Sequence, residues 1–133
     1  MAKWANSNVL DSGPEYIRTL AGTTDRVKQH LIKAYSAGDS YATVVGNSVA
    51  SVSMATGDLT MGSSGSNRTM TVAAKSGVSV TANSGAGPNN HLALVDSTGS
   101  AVLLVTDETS DQQTYNGNTV NLPSWVYTVA QPT

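Results

Sequence analysis

From Tyr41 to the C-terminus the chain is a series of short runs of Val, Thr, Ser and Ala, separated by Gly, Asn and Asp. Apolar and polar residues alternate within these runs, as in strands that bury one face. Turn residues recur about every 8–12 residues, which is the spacing of an antiparallel all-β domain. The predicted fold class is therefore mainly β: a small β-sandwich or jelly-roll-like domain with a short N-terminal helical segment.

The alternation predicts single strands, two hairpins and a final strand. The single strands cover 41–45, 49–54 and 59–61, with a turn at Gly46-Asn47 and a flexible loop over 62–67. One hairpin pairs 68–74 with 78–82 around Lys75-Ser76-Gly77, and the other pairs 91–95 with 101–106. A Gly-rich loop over 83–90, a turn at Gly117-Asn118 and a strand over 125–129 complete the prediction.

The first forty residues have a different pattern. Ser12-Gly13-Pro14-Glu15 indicates a helix start, with Ser12 as the cap, and Gly22 indicates its end. Residues 25–36 fit both a helix face and a strand alternation, and local propensity favours a helix. The predicted organisation is a single domain, in which residues 1–40 form a helical docking segment and residues 41–133 form the β-sandwich.

The composition limits both the core and the partners. Only seven of the 133 residues are aromatic and much of the apolar fraction is Ala and Val, so each core side chain buries little area. Such a core favours association over an isolated monomer.

The net charge is −2 and the seven basic residues are scattered, which argues against nucleic acid binding. We see no apolar run of the ~20 residues that a membrane span needs and no signal-peptide pattern, so we expect cytoplasmic synthesis and no membrane contact.

No cluster of reactive side chains stands out in the sequence. Most carboxylates fall in predicted turns, and the acidic run of Asp107-Glu108 with Asp111 lacks the pattern of a calcium loop. His30 and His91 are the only histidines, no nucleophile-elbow motif accompanies them, and His91 is expected at a sheet edge. Cysteine is absent, which removes thiolate nucleophiles and Cys-based zinc sites. The sequence thus predicts a protein that is not an enzyme, with no catalytic, cofactor-binding or metal-ligating residues.

Short motifs follow one another in a characteristic order over most of the chain. The N-terminal ones are Trp4-Ala5-Asn6, Val9-Leu10-Asp11 and Tyr16-Ile17. The later ones are Gly57-Asp58-Leu59-Thr60, the run from Arg68 to Val80, His91-Leu92-Ala93-Leu94-Val95-Asp96, Leu103-Leu104-Val105-Thr106, Gly117-Asn118-Thr119-Val120 and Ala130-Gln131-Pro132-Thr133. In this order, over residues 4–20 and 57–133, they resemble a family of small virion proteins of tailed bacteriophages. The resemblance implies a strand over 26–36, against the local propensity, and an Ala-rich N-terminal helix that Gly13-Pro14 interrupts here.

The resemblance implies a structural role in the virion, and we expect a head decoration (cement) protein on the capsid exterior. Its partners would be the major capsid protein and further copies of itself, and a trimer would suit the three-fold positions of a shell. We expect Trp4, Val9, Leu10 and Trp125 to contribute to capsid or subunit contacts; the alternative for each is ordinary core packing.

Two other functions stay open at this point. A tail or fibre module would bind a host glycan through Tyr115, Asn116 and Asn118, although a turn at Gly117-Asn118 explains the same residues. A tail-tube or connector subunit would form rings without a capsid. A small hydrolase is a third class, for which the sequence offers no site.

Overall fold

The computed structural model describes residues 4–5, 13–65 and 67–130. The fold is mainly β, a small β-sandwich with a short N-terminal helix, as the alternation predicts. The helices are α1 (Pro14–Ala21), α2 (Tyr41–Gly46) and a 3-10 turn (Thr56–Asp58). The strands are β1 (Trp4–Ala5), β2 (Val27–Ile32), β3 (Ser48–Ser53), β4 (Leu59–Ser64), β5 (Asn67–Val72), β6 (Lys75–Ser79), β7 (His91–Asp96), β8 (Ala101–Asp107), β9 (Thr119–Leu122) and β10 (Trp125–Val129).

The strands form three antiparallel sheets. The largest has the order β1-β8-β7-β2-β3, the second has the order β10-β5-β4, and β6 pairs with β9 in a two-stranded ribbon. A single bridge between Ala50 and Val80 joins the ribbon to the edge of the five-stranded sheet. None of the helices in the described ranges is long and apolar enough to cross a membrane.

The core lies on both faces of the five-stranded sheet. On one face, Leu94 and Leu103 pack with residues of α1 and of the three-stranded sheet, including Ile17 and Met70. On the other face, Ala93 and its neighbours pack beneath α2 and the preceding loop. A third cluster fixes the β6–β9 ribbon against the end of the same sheet. All six residues of β7 are buried as a result, and this strand is the centre of the fold.

The helix predicted over 25–36 is wrong, because Val27–Ile32 is strand β2. Its backbone pairs with β3 on one side and β7 on the other. Both of its faces are covered, and five of its six residues are buried. This burial hides the apolar–polar alternation on which a sequence-based assignment depends.

The strand predicted over 41–45 is also wrong, because these residues begin helix α2. The Ser40 hydroxyl accepts a hydrogen bond from the Thr43 N–H at 3.2 Å and caps the helix. Val44 is the one buried residue of this helix, and Tyr41 is partly buried against the same core cluster. The cap and this packing together outweigh the strand preference of Thr43 and its β-branched neighbours.

Other expectations about local structure had mixed outcomes. Strands β5 and β6 are not paired with each other, so the hairpin predicted there is wrong: β5 has β4 and β10 as neighbours, and β6 has β9. Residues 62–64 belong to β4, not to a loop.

The β7–β8 hairpin and the final strand are confirmed. Helix α1 ends at Gly22 as predicted and has Gly13 at its cap position, whereas Ser12 lies outside the described residues.

One carboxylate holds the turn between β7 and β8. Asp96 is almost fully buried and accepts two hydrogen bonds from the Arg26 guanidinium, at 2.9 and 3.0 Å. It also accepts the backbone N–H groups of Thr98 and Gly99. The hydrogen bond from Arg26 is the main reason why the pKa of Asp96 lies below its usual value.

The substitution Gly99→Ala tests this packing. A Cβ atom at Gly99 would lie 2.6 Å from Asp96 Oδ2, so the carboxylate would have to move from its four donors. We expect a loss of about 1–3 kcal/mol in the free energy of unfolding, measured by urea titration. Gly57→Ala is the matched control, because nothing lies within 4 Å of its Cβ position. Equal stability of the two variants would contradict this account of Asp96.

A buried histidine makes the fold sensitive to acid. His30 Nδ1 lies 2.8 Å from Ser48 Oγ, which itself donates to the carbonyl of Ala50. Burial, with a smaller contribution from Lys28, lowers the pKa of His30 from 6.5 to about 4.

Because the unfolded chain binds this proton near pH 6.5 and the folded chain does not, stability should fall as the pH falls from 6.5 towards 4. We expect His30 to account for about 2 kcal/mol of lost stability between pH 7 and pH 5. Urea titrations at the two pH values measure it. In His30→Gln, whose amide retains a donor for Ser48, most of this difference should disappear. A difference of the same size in the variant would show that another group is responsible.

Candidate docking surface

The structure places two of the four predicted contact residues. The backbone of Trp4 lies in β1, opposite Val105 of β8 at the edge of the five-stranded sheet. Val9 and Leu10 lie outside the described residues. Trp125 begins β10, at the edge of the three-stranded sheet, so the predicted residues that the structure describes belong to different sheets.

Trp125 is half-buried and packs against two of the core clusters. Its indole Nε1 donates a hydrogen bond of 2.8 Å to Oε1 of Gln29, which is completely buried in β2. The indole therefore joins the three-stranded sheet to the five-stranded sheet. Its role in capsid or subunit contact stays a prediction, and its packing is that of a core residue.

The outward side of β10 consists of the residues between these inward ones. Val126 is 54% exposed and is one of the two exposed large apolar side chains in the described ranges. The alternation along β10 assigns Trp125 and Tyr127 to the core and Val126 and Thr128 to the opposite side. The alternation along this strand is visible in the sequence, but the prediction that named Trp125 as a contact residue overlooked Val126.

The outer face of the three-stranded sheet is uncharged and rich in threonine. Strand register places Thr60, Thr71 and Val126 in one row across the sheet. The next row consists of Gly62, Thr69 and Thr128. We call these six residues the outer face. Four of its residues are exposed, whereas Thr71 is half-buried and Thr69 is buried. The exposed part offers hydroxyl and methyl groups, and no charge that a partner would have to neutralise or desolvate.

Neither edge strand of this sheet contains a charged residue, although the Arg18 guanidinium donates a hydrogen bond of 2.8 Å to the carbonyl of Leu59 at the start of β4. In the part of the chain that the structure describes, β4 and β10 pair only with β5, and neither strand contains a charged residue. Proteins commonly protect exposed edge strands with charged residues, especially lysine, or with charged side chains that point inward. Edges without this protection are suited to pairing with another polypeptide.

The histidines do not form a catalytic centre with the residues described. His30 Nδ1 lies 2.8 Å from the Ser48 hydroxyl, but burial lowers the pKa of His30 to about 4, which makes the ring a weak base for activating that hydroxyl. His91 is fully buried in the central strand, and the prediction that it lies at a sheet edge is wrong. Its Nδ1 lies 3.0 Å from the carbonyl of Asn89, and its Nε2 lies 3.7 Å from the nearest oxygen of Asp107.

The acidic run after β8 organises its own loop. Glu108 accepts the N–H of Ser110, and Asp111 accepts the N–H of Asn90. No cluster of three or more His, Cys, Asp or Glu side chains in the described ranges is arranged to hold a metal ion.

The residues of the glycan hypothesis lie in a turn. Tyr115 is 53% exposed, and its carbonyl accepts the N–H of Asn118. The N–H of Asn116 donates to the side chain of Asn83. Gly117 has a φ of 94°, a conformation that suits glycine, and the predicted turn is confirmed.

Comparison with protein-family models, with curated proteins and with solved structures finds no match to this chain.

The substitution Trp125→Phe tests whether the indole stabilises the sandwich. It removes the only hydrogen bond found for the Gln29 side chain, whose Nε2 already has no partner among the described residues. A buried amide without partners is costly, so we expect a loss of about 2 kcal/mol in the free energy of unfolding, measured with urea.

The double variant Gln29→Leu/Trp125→Phe is the matched control. It removes the buried amide together with its donor, and should recover part of the stability lost in Trp125→Phe alone. If Trp125→Phe is as stable as the unmodified chain, the hydrogen bond between Trp125 and Gln29 does not stabilise the contact between the two sheets.

Proposed function

We propose that this chain is a structural protein of a bacteriophage virion, a head decoration protein that binds the outer capsid surface and stabilises the shell. The motif order over residues 57–133 supports the virion class. The observation that carries the docking role is the uncharged outer face of the three-stranded sheet, with Val126 exposed at its edge. The major capsid protein is its partner in this proposal.

The chemistry of the outer face suits a protein partner. Its threonine hydroxyls donate and accept hydrogen bonds, and its methyl groups and Val126 lose apolar surface to water on docking. Burying an uncharged face avoids the desolvation cost that unpaired charges carry at an interface. A face on regular strands also meets its partner in one conformation, so that little entropy is lost on binding.

The edges of the same sheet support association between copies. The β4 edge of one copy, beyond the Arg18 contact at Leu59, can pair with the uncharged β10 edge of the next. Both strands run antiparallel to β5 and hence parallel to each other. Such a head-to-tail contact closes into a ring when the rotation between copies permits it. In the proposed role, three copies around a three-fold position of the shell form the homo-oligomer.

A cryo-EM reconstruction of the particle that carries this chain tests its location. The proposal expects density on the outer shell, at the joints between hexamers and pentamers. Density confined to the tail would contradict it, and would favour the tail or fibre module or the tail-tube subunit.

The substitution Val126→Glu tests the docking face. A carboxylate buried at the contact without a partner should lower shell occupancy at least about tenfold, measured by co-sedimentation with undecorated shells. The folded chain should tolerate the change, because Val126 is exposed. Ser79→Glu is the matched control, with the same added charge at an exposed position of the β6–β9 ribbon. Equal occupancy for both variants would show that the outer face does not dock.

A further inference from the structure

A cavity of about 320 Å³ lies between strand β9 and the segment that follows β8. All of β9, Thr119–Leu122, lines one side of it, and Glu108 and Ser110 belong to the opposite wall. The other edge of β9 is paired with β6. The cavity therefore lies along the edge of β9 that points away from the ribbon, where a group from outside the molecule can reach it.

This edge of β9 continues the outer edge of β10. Pro123 and Ser124 join β9 to β10, and Ala73 and Ala74 join their partners β5 and β6. Because the two partners follow each other along one side, the opposite edges of β9 and β10 follow each other along the other side. The β10 edge takes part in the proposed ring of copies, so the cavity lies next to that contact.

One carboxylate lines the cavity without a cation to balance it. Glu108 is half-buried, and its Oε1 accepts the Ser110 N–H at 3.1 Å. No Lys, Arg or His is among the lining residues, and Glu108 has no salt bridge within the described ranges. Its other oxygen is left to accept a hydrogen bond, and a cationic donor makes the strongest bond to a carboxylate.

Glu108 lies at the end of the cavity nearest to β10. The chain reverses direction at the turn over 115–118, where the Asn118 N–H donates to the Tyr115 carbonyl. The segment before this turn therefore runs back along β9. Glu108 begins the segment and Leu122 ends the strand, so both are far from the turn and line the same end of the cavity.

The opposite edge of the three-stranded sheet carries a guanidinium. Arg18 Nε donates a hydrogen bond of 2.8 Å to the carbonyl of Leu59 at the start of β4. Its Nη1 donates to both oxygens of Glu15, at 3.0 Å. The Nη2 group has no partner among the described residues, and the side chain is 29% exposed. Arg18 thus has a donor available at the β4 edge.

A ring of copies brings the two edges together. The rotation of a three-fold ring keeps β4 of one copy aligned with β10 of the next only if the axis runs along the strands, and residues then keep their height from copy to copy. Leu59 is level with Val72 and Trp125 within one copy. It is therefore level with Trp125 of the next copy, and Arg18 lies where the neighbouring β10 adjoins β9 and the cavity.

We propose that Glu108 in the cavity of one copy binds the Arg18 guanidinium of the next. The contact rests on the proposed association between copies and supplies it with a specific ion pair. Nη2 donates to the free oxygen of Glu108, while Nε and Nη1 keep their bonds to Leu59 and Glu15. The pair also selects the correct edge, because two β4 edges would bring one Arg18 close to another.

Disulfide trapping tests the arrangement, since the chain has no cysteine. Thr60 and Val126 flank Thr71 in one row, so within one copy they lie about 10 Å apart, too far for a disulfide. In the ring, Thr60 of one copy is adjacent to Val126 of the next. The variant Thr60→Cys/Val126→Cys should therefore give disulfide-linked dimers and trimers on non-reducing gels, on decorated shells and as the free chain at about 1 mM.

The substitution Glu108→Gln in this background tests the ion pair. It removes the charge and keeps an acceptor for the Ser110 N–H, so the fold should be retained. The yield of linked copies should fall about fivefold and lose its dependence on salt. Arg18→Gln should lower the yield as well, and the two substitutions together should lower it no further than the larger single effect.

The matched control is Gln113→Lys, with the same change of charge at an exposed position outside the cavity lining. Its yield should equal that of the Thr60→Cys/Val126→Cys parent. A Glu108→Gln yield equal to that of the parent would overturn the ion pair and leave the ring standing. Absence of linked copies in the parent would overturn the ring and the ion pair together, while co-sedimentation with shells still reports capsid docking.

Discussion

The burial of β7 on both faces is the constraint on which the rest of the structure depends. A strand whose six residues are all buried needs apolar cover above and below the sheet, and a chain poor in aromatic residues has little material for it. The cover comes from separate pieces: helix α1, the three-stranded sheet and the β6–β9 ribbon on one face, and helix α2 on the other. The three-stranded sheet covers β7 with its inner side only, so its other side remains as the outer face.

The sequence predicted the elements that local signals control. The β7–β8 hairpin has two apolar runs around a short turn, and the final strand alternates clearly, so both were predictable from neighbouring residues. Strand β2 was not predictable in this way, because its identity comes from partners on both sides that lie far along the chain. Helix α2 is a different case, in which the Ser40 cap and the packing of Tyr41 and Val44 hold residues with strand propensity in a helix.

The candidate surfaces were less accessible to sequence reasoning than the fold. The outer face unites residues from β4, β5 and β10, and only the register between these strands shows that its two rows carry no charge. The sequence drew attention to Trp125, whose indole packs inward, and not to Val126 beside it.

The connection between β5 and β6 has a further consequence, for cooperativity. Only Ala73 and Ala74 separate the two strands, although β5 belongs to the three-stranded sheet and β6 to the ribbon. With two residues between them, the facing ends of β5 and β6 lie at most about 11 Å apart, so neither sheet moves far from its place without pulling the other. The N–H of Ala73 also donates to the carbonyl of Asp58 at 2.8 Å, which leaves the link little slack. The three-stranded sheet and the ribbon are therefore coupled through the backbone itself. Loss of one layer removes the support of the other, as in a domain that unfolds in a single step.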